Sequence, residues 1–317
     1  MLSRVADSLC WMSRYLERAE HTARVIDVNL GLMLEQAPEV VDLRWPRVIE
    51  SLGFQTTPGP MDAYSISKLL TFQASNLSSI VSSIRAAREN ARQVREQISS
   101  EMWEEINRLY LAVQKRQPVD SEWTAGTHEF LSATINGVHQ IQGVTDATMT
   151  HGEGWHYIEL GRYLERASAT AALLDVQFRE APPDAGGLPG VSEFVEWVGL
   201  LKSCCAFEAY CRHYTADVRP QRIAEFLVLN PEFPRSIHFA AARVQAALRA
   251  IAGLTGRTNG RSERLAGRLL ASLDYGQIDE IMGELPSYLQ GIVRQAALIN
   301  SAVHQQYIAY PIDIGLA

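Results

Sequence analysis

The sequence predicts an all-α helical bundle built from two pseudo-symmetric repeats, and three observations carry that expectation. The hexapeptide Arg14-Tyr15-Leu16-Glu17-Arg18-Ala19 returns unchanged as Arg162-Tyr163-Leu164-Glu165-Arg166-Ala167, 148 positions later, and self-similarity of this kind marks an internal duplication. Apolar residues around both copies recur in steps of three and four, the spacing that lines one face of a helix. No stretch shows the period-two alternation of a half-buried strand.

In the first copy the apolar seam runs Val5, Leu9, Met12, Leu16, Ala19, Ala23, Ile26, Leu30 and Met33. It predicts a helix over 3–36 that stops before Pro38, whose ring cannot continue it. Shorter helices are expected over 45–52 and 63–72, separated by the breaker run Thr57-Pro58-Gly59-Pro60. Asn76 is a candidate N-cap for a helix over 79–98, and Ser99-Ser100 recap the chain before a helix over 101–115. After Pro118-Val119-Asp120-Ser121 a helix is expected over 127–149, weakened by Gly137 and Gly143. The interval His151-Gly152-Glu153-Gly154 leads into the second long helix, whose seam Tyr157, Leu160, Leu164, Ala167, Ala171, Leu174, Phe178 repeats the first and ends at Pro182-Pro183. Gly186-Gly187 and Pro189-Gly190 form a connection inside the second half. Further helices are expected over 192–214, 220–229, 234–254, 262–273 and 277–308. Trp45, Ile49 and Ser51 match Trp197, Leu201 and Ser203, and Ser79-Ile80 matches Ser236-Ile237. The chain therefore reads as a single 1–317 domain with internal repeats of about 1–150 and 151–317.

The 317 residues carry 29 Lys and Arg against 36 Asp and Glu, a formal charge of −7, which argues against a general nucleic-acid binder. With 47% hydrophobic residues there is ample material for a core. No apolar run approaches a membrane span, and the first residues lack the apolar stretch of a secretory leader. Cys10, Cys204, Cys205 and Cys211 have no disulfide-framework spacing, so a reducing cytoplasm is the expected compartment.

The charged residues of the repeat lie on a second stripe: Cys10, Arg14, Glu17, His21, Arg24, Val28 in one copy and Trp155, Ile158, Arg162, Glu165, Ala169, Ala172, Val176 in the other. Apolar neighbours in the second copy imply that this stripe is buried, and buried charges require charged, hydrogen-bonded partners. The two copies are therefore expected to meet, bringing Glu17 and Glu165 each close to an arginine of the opposite helix. Arg14, Glu17, Arg18, His21, Arg162, Glu165 and Arg166 are the resulting candidates for an inter-repeat cleft, weighed against a purely structural ion-pair lattice.

A second feature is Arg85, Arg88, Arg92 and Arg95, whose spacing places four guanidinium groups on one helix face. Read blandly it is a solvated face with Arg85–Glu89 and Arg92–Glu96 pairs; read functionally it is a ridge for docking a partner or anion. His21 lies four residues after Glu17, and His156 three before Glu159. A di-metal bundle needs a Glu-x-x-His from each of two helices, and Ala169 stands where His21 would repeat, so no metal is expected. The chain has no phosphate-binding glycine loop and no nucleophile elbow.

The run Trp11-Met-Ser-Arg-Tyr-Leu-Glu-Arg-Ala-Glu-His-Thr-Ala-Arg24, its echo Gly161-Arg-Tyr-Leu-Glu-Arg166, and the blocks Arg88-Glu-Asn-Ala-Arg92, Trp103-Glu-Glu-Ile-Asn107 and Phe226-Leu-Val-Leu-Asn-Pro-Glu-Phe-Pro-Arg-Ser236 resemble the bacterial Alpha-E family, named for an α-helical domain with a repeated Glu-Arg motif. The resemblance spans nearly the whole chain, with one departure at His151, where the family more often has arginine. Members are typically encoded beside, or fused to, a circularly permuted ATP-grasp protein, with a transglutaminase-like protein and the Anbu protease as recurrent neighbours. The resemblance thus implies an accessory or site-completing subunit of an ATP-dependent peptide or amide ligase, with an acidic peptide as a possible substrate. ATP and Mg would then sit on the ATP-grasp partner, and no cofactor on this chain. Two competing expectations are a stand-alone enzyme using Glu17 and Glu165 as acid and base, and a purely structural interaction protein.

Overall fold

The computed structural model describes residues 1–33, 38–54, 62–115, 120–180, 191–215 and 217–308. Among them the chain is helical throughout, with no strand. The helices of the first half are α1 (Ser3–Met33), α2 (Pro38–Ser51), α3 (Ala63–Phe72), α4 (Ile80–Gln93), α5 (Ser100–Gln114) and α6 (Asp120–Thr148). Those of the second are α7 (Glu153–Glu180), α8 (Val191–Ser203), α9 (Phe207–Tyr214), α10 (Pro220–Leu229), α11 (Ile237–Thr255), α12 (Arg261–Asp274), α13 (Ile278–Met282) and α14 (Leu285–Val303), followed by a π-helical turn, His304–Ile308.

Both apolar seams are buried as their spacing requires. Leu9, Met12, Ala19, Ala23 and Ile26 of α1, and Leu160, Ala171 and Leu174 of α7, have no accessible surface. Contacts advance in the same direction along the two helices, from Met1 with Glu153, through Cys10 with Gly161, to Glu17 with Arg166, so α1 and α7 lie side by side and parallel. Around them α1, α4, α5 and α6 pack in a ring, each against the next, and α7, α11, α12 and α14 form a second ring. The α1–α7 contact is the edge the rings share, and one apolar core runs through both. Parallel neighbours cannot be joined by a tight turn, so the rest of the first ring forms the connection between them.

Local chemistry explains most element ends, including those that differ from expectation. Ser79, not Asn76, caps α4 by accepting from Ser82 N, while Asn76 accepts from Ser78 N within the preceding loop. Ser99 and Ser236 cap α5 and α11 in the same way. α4 ends at Gln93, short of 98, because Val94 leaves helical geometry and both Val94 and Ile98 turn into the core around a 3-10 turn, Arg95–Gln97. α6 starts at Asp120, before 127, and its Gly137 sits under Leu109 of α5, whose Cδ1 would lie 2.8 Å from an added Cβ. Packing there outweighs helix propensity. α7 likewise begins inside the expected 151–154 break, at Glu153. The helix expected over 192–214 is two, because Cys205 adopts a left-handed backbone (φ 52°) that buries Cys204 and Ala206. The stretch 277–308 breaks before Leu285, where Pro286 fits a first helical turn but not an interior. The expected breaker at 57–60, the connection at 118–119, the Pro182-Pro183 stop and the Gly/Pro run at 186–190 lie outside the described residues.

Gly161 sets how closely the long helices approach, since a Cβ there would stand 2.2 Å from the Cys10 carbonyl oxygen and 2.3 Å from Ser13 Oγ. Gly161→Ala should destabilise the protein by about 1–3 kcal/mol through overpacking. Gly143→Ala, in open space within α6, should stabilise it by about 0.5–1 kcal/mol through helix propensity. Urea midpoints of the two variants check both signs.

Candidate functional site

Once α1 and α7 lie parallel at the distance Gly161 allows, their Glu-Arg motifs face each other and exchange partners. Arg166 Nε donates to Glu17 Oε1 at 2.6 Å and Nη2 to Oε2 at 2.8 Å, a bidentate pair. In return Glu165 accepts from Arg18 Nε at 2.6 Å on one oxygen and from Arg14 Nε at 2.9 Å on the other. The expectation that each glutamate meets an arginine of the opposite helix is met in both directions.

The two sides of the seam differ in their surroundings. On the Glu17 side Arg235, from the turn before α11, reaches Glu17 at 3.7 Å and Glu20 at 2.8 Å. Glu20 also holds Arg24, with His139 at 3.5 Å. Arg166 Nη1 donates to the Pro234 carbonyl and Gln142 to Glu17, so this cluster is closed by α6 and the α10–α11 turn. The Glu165 side is more open: Arg18 reaches Ser78 Oγ at 3.5 Å, Arg14 donates to Asn300 Oδ1 at 2.9 Å, and their side chains are 23% and 15% exposed. Arg14 stacks on Trp11, with Arg18 near the Tyr15 ring.

Arg162 takes a different part from its counterpart Arg14. It pairs with Glu159 one turn back in α7 at 2.8 Å, and Arg243 of α11 joins the same carboxylate; position 159 corresponds to Trp11, on which Arg14 stacks. Arg162 therefore belongs beside α11 and not to the exchange across the seam. His21 is buried, and its Nε2 has no hydrogen-bond partner among the described residues. It lies near the carboxylates of Glu20, Glu17 and Glu165.

Burial alone would raise the Glu17 and Glu165 carboxyls. For Glu17 the Arg166 and Arg235 guanidiniums outweigh it, for Glu165 those of Arg18 and Arg14, and both stay below the usual carboxylate range. Glu20 is held well below it, Arg235 and the hydrogen bond from His139 outweighing burial. Burial pushes the His21 imidazole down to about 4 against the pull of Glu20, and raises the Cys10 and Cys204 thiols to about 12.

The arginine series on α4 is not a single ridge. Arg92 pairs with Glu89 at 2.7 Å, in place of the expected Arg85–Glu89 and Arg92–Glu96 pairs. Arg95 lies beyond the helix end and donates to Ser100 Oγ. Arg88 turns onto α5, donating to Asn107 and lying over Tyr110 and Trp103, and Arg95 also covers the Trp103 ring. Arg85 is exposed.

Glu20, Glu159, Arg235 and Arg243 were missed in the sequence. Glu20 corresponds to Ser168, so the duplication does not flag it, although it lies one turn after Glu17. Glu159 was visible as the partner one turn before Arg162. Arg235 stands in the Phe-Pro-Arg-Ser turn, but nothing in its spacing connects it with residue 17.

Glu17→Ala strands Arg166 and should cost roughly 3–5 kcal/mol. Glu165→Ala should cost less, because Arg14 and Arg18 reach solvent, and Glu89→Ala no more than about 0.5 kcal/mol; chemical denaturation ranks the three. Acid should act in two steps. Unfolded chains protonate His21 near its ordinary 6.5 while the folded protein resists to about 4, so stability falls as pH drops through that window, by on the order of 3 kcal/mol. The glutamates' contribution is present above 4.5 and is lost at lower pH, as it falls through their depressed folded values. Stability measured between pH 7 and 4 should show the first slope flattened in His21→Gln.

The family model Alpha-E, described as a predicted alpha-helical domain with a conserved ER motif, matches residues 1–308. Uncharacterized proteins of Mycobacterium tuberculosis (Rv2567, strain H37Rv) and Mycobacterium bovis (Mb2597) are each 26% identical over 317 residues, covering 91% of this chain. The chain spans only 35% of the length of these curated relatives. No solved structure matches it.

Proposed function

The chain belongs to the Alpha-E family, and on that premise we propose that it is an accessory or site-completing subunit of an ATP-grasp-type peptide or amide ligase. It binds a circularly permuted ATP-grasp protein, which carries ATP and Mg, and contributes contacts for an acidic peptide substrate. The reading places it in the cytoplasm, with a transglutaminase-like protein and the Anbu protease as functional neighbours. The reading includes neither nucleic acid nor membrane among the partners. Among the described residues no helix is long and apolar enough to cross a membrane.

The observation that carries the reading is the state of the central ionisable groups. Glu17 and Glu165 are each paired with guanidinium groups and both kept ionised, whereas an acid–base pair needs environments that drive the two pKa values apart. The Cys10 and Cys204 thiols, raised by burial, are poor nucleophiles at neutral pH. These groups suit binding and orientation better than proton transfer, which disfavours the stand-alone enzyme. That the relatives carry this unit as a minor part of a longer chain fits a component working with others.

The partner-facing surface is assigned to Arg88 and Arg95 with the Trp103 and Tyr110 rings beneath them, since arginine over aromatic side chains is the composition that dominates binding hot spots. Co-expression with the ATP-grasp protein should yield a complex, and ATP turnover should appear only in the mixture. Arg88→Glu combined with Arg95→Glu should abolish capture while leaving helicity by circular dichroism intact. Turnover by the ATP-grasp protein alone at the full rate, with no complex, would leave the structural-protein reading in its place.

A further inference from the structure

Three charge clusters surround the α1–α7 seam, and each holds one more guanidinium than carboxylate: Arg14 and Arg18 on Glu165; Arg162 and Arg243 on Glu159; Arg24, Arg166 and Arg235 on Glu17 and Glu20. In two of them neighbouring groups cover the guanidiniums. Arg243 is 40% exposed and lies over the Trp155 and Tyr163 rings. In the Glu17–Glu20 cluster Arg24 folds back onto its own helix, and Arg166 and Arg235 are buried against two carboxylates and backbone.

The Arg14–Arg18 pair is instead partly open, its two side chains 15% and 23% exposed. Both guanidiniums converge on the one Glu165 carboxylate, which cancels a single charge, in a site too enclosed for bulk water to screen the remainder fully. Arg14 spends Nε on Glu165 and Nη1 on Asn300; Arg18 spends Nε on Glu165 and reaches Ser78 Oγ with Nη1 at 3.5 Å. Among the described residues, neither Nη2 makes a hydrogen bond. The Trp11 ring and the Asn300 amide, which fix Arg14, also line a cavity of about 280 Å³ shared with Asp7, Cys10 and His304.

We propose that Arg14 and Arg18 form a subsite for a small oxyanion, a carboxylate or phosphate group, whose uncharged or cationic remainder extends into the cavity beside Trp11 and Asn300. Paired planar guanidiniums match the geometry of either group, and an anion there would neutralise the uncompensated charge. The Glu17–Arg166 pairing is then a structural lock, and the two Glu-Arg motifs have different duties although their sequences are identical.

Calorimetric titration of the full chain with inorganic phosphate, and separately with glycyl-L-alanine, a dipeptide with one carboxylate and a cationic remainder, tests the subsite. Saturable binding of at least one probe, weakened by added salt, is expected. Binding of phosphate alone or of the dipeptide alone identifies the source of the oxyanion. Arg18→Gln leaves Glu165 with Arg14 and should weaken binding about tenfold or more, and Arg18→Lys, which keeps charge but loses the fork, should fall between. Arg108→Gln, an exposed charge paired with Glu105, controls for net charge and should bind as the parent does. Binding of neither probe, or binding unaltered in both Arg18 variants, would overturn the proposal. The titrations use this chain alone, so their failure and failure of the ligase reading, which is read by complex formation, are distinguishable.

Discussion

The structure depends on the exchange of charges between two parallel helices, Glu17 with Arg166 and Glu165 with Arg18. Neither glutamate could remain buried and ionised alone, because desolvation would drive its pKa up and cost stability. Each motif is satisfied only when its neighbour arrives in the right register. A one-residue slip of α1 along α7 would rotate these groups away from each other and set the seam residues against a different face. The ion pairs thereby specify register, while the apolar seam of Leu9, Met12, Leu160 and Leu174 supplies most of the drive to associate.

Gly161 is what lets this exchange close. Guanidinium and carboxylate can form a short bidentate pair only if the helices come near enough, and the missing Cβ opposite the Cys10 carbonyl provides that proximity. Around the seam, the α4 and α11 caps at Ser79 and Ser236 hold the helices that flank α1 and α7 respectively. The turns leading into these caps differ by one consequential residue. Arg235 reaches Glu17 and Glu20, whereas the corresponding Ser78 offers only a hydroxyl to Arg18. One side is thereby sealed by a third arginine and the other left more open.

This asymmetry connects architecture to function. A duplicated motif that remained equivalent on both sides would offer two structural locks or two binding sites. Here the flanking residues, Arg235 and Glu20 against Ser78 and Asn300, separate the duties. The same pairing that holds the bundle together leaves spare donors on the side that is more open.

The all-α architecture, the buried faces of α1 and α7 and the meeting of the two Glu-Arg motifs were legible because helical period and exact repetition are properties of neighbouring residues in one dimension. Helix ends governed by local capping, as at Ser99, were legible for the same reason. What the linear pattern could not contain were the partners brought from elsewhere: Arg235 to Glu17, Arg243 to Glu159, Asn300 to Arg14, and Arg88 onto Tyr110. Nor could it show that Arg162 stays on its own helix, or that Cys205 breaks a continuous pattern with a left-handed residue. The charge partners depend on which groups α5, α11, α14 and the turn before α11 bring within reach, and the break at Cys205 on the burial of Cys204 and Ala206. Periodicity determined that charges would be buried and paired; only the three-dimensional packing decided which arginine neutralises which carboxylate, and therefore where positive charge is left over.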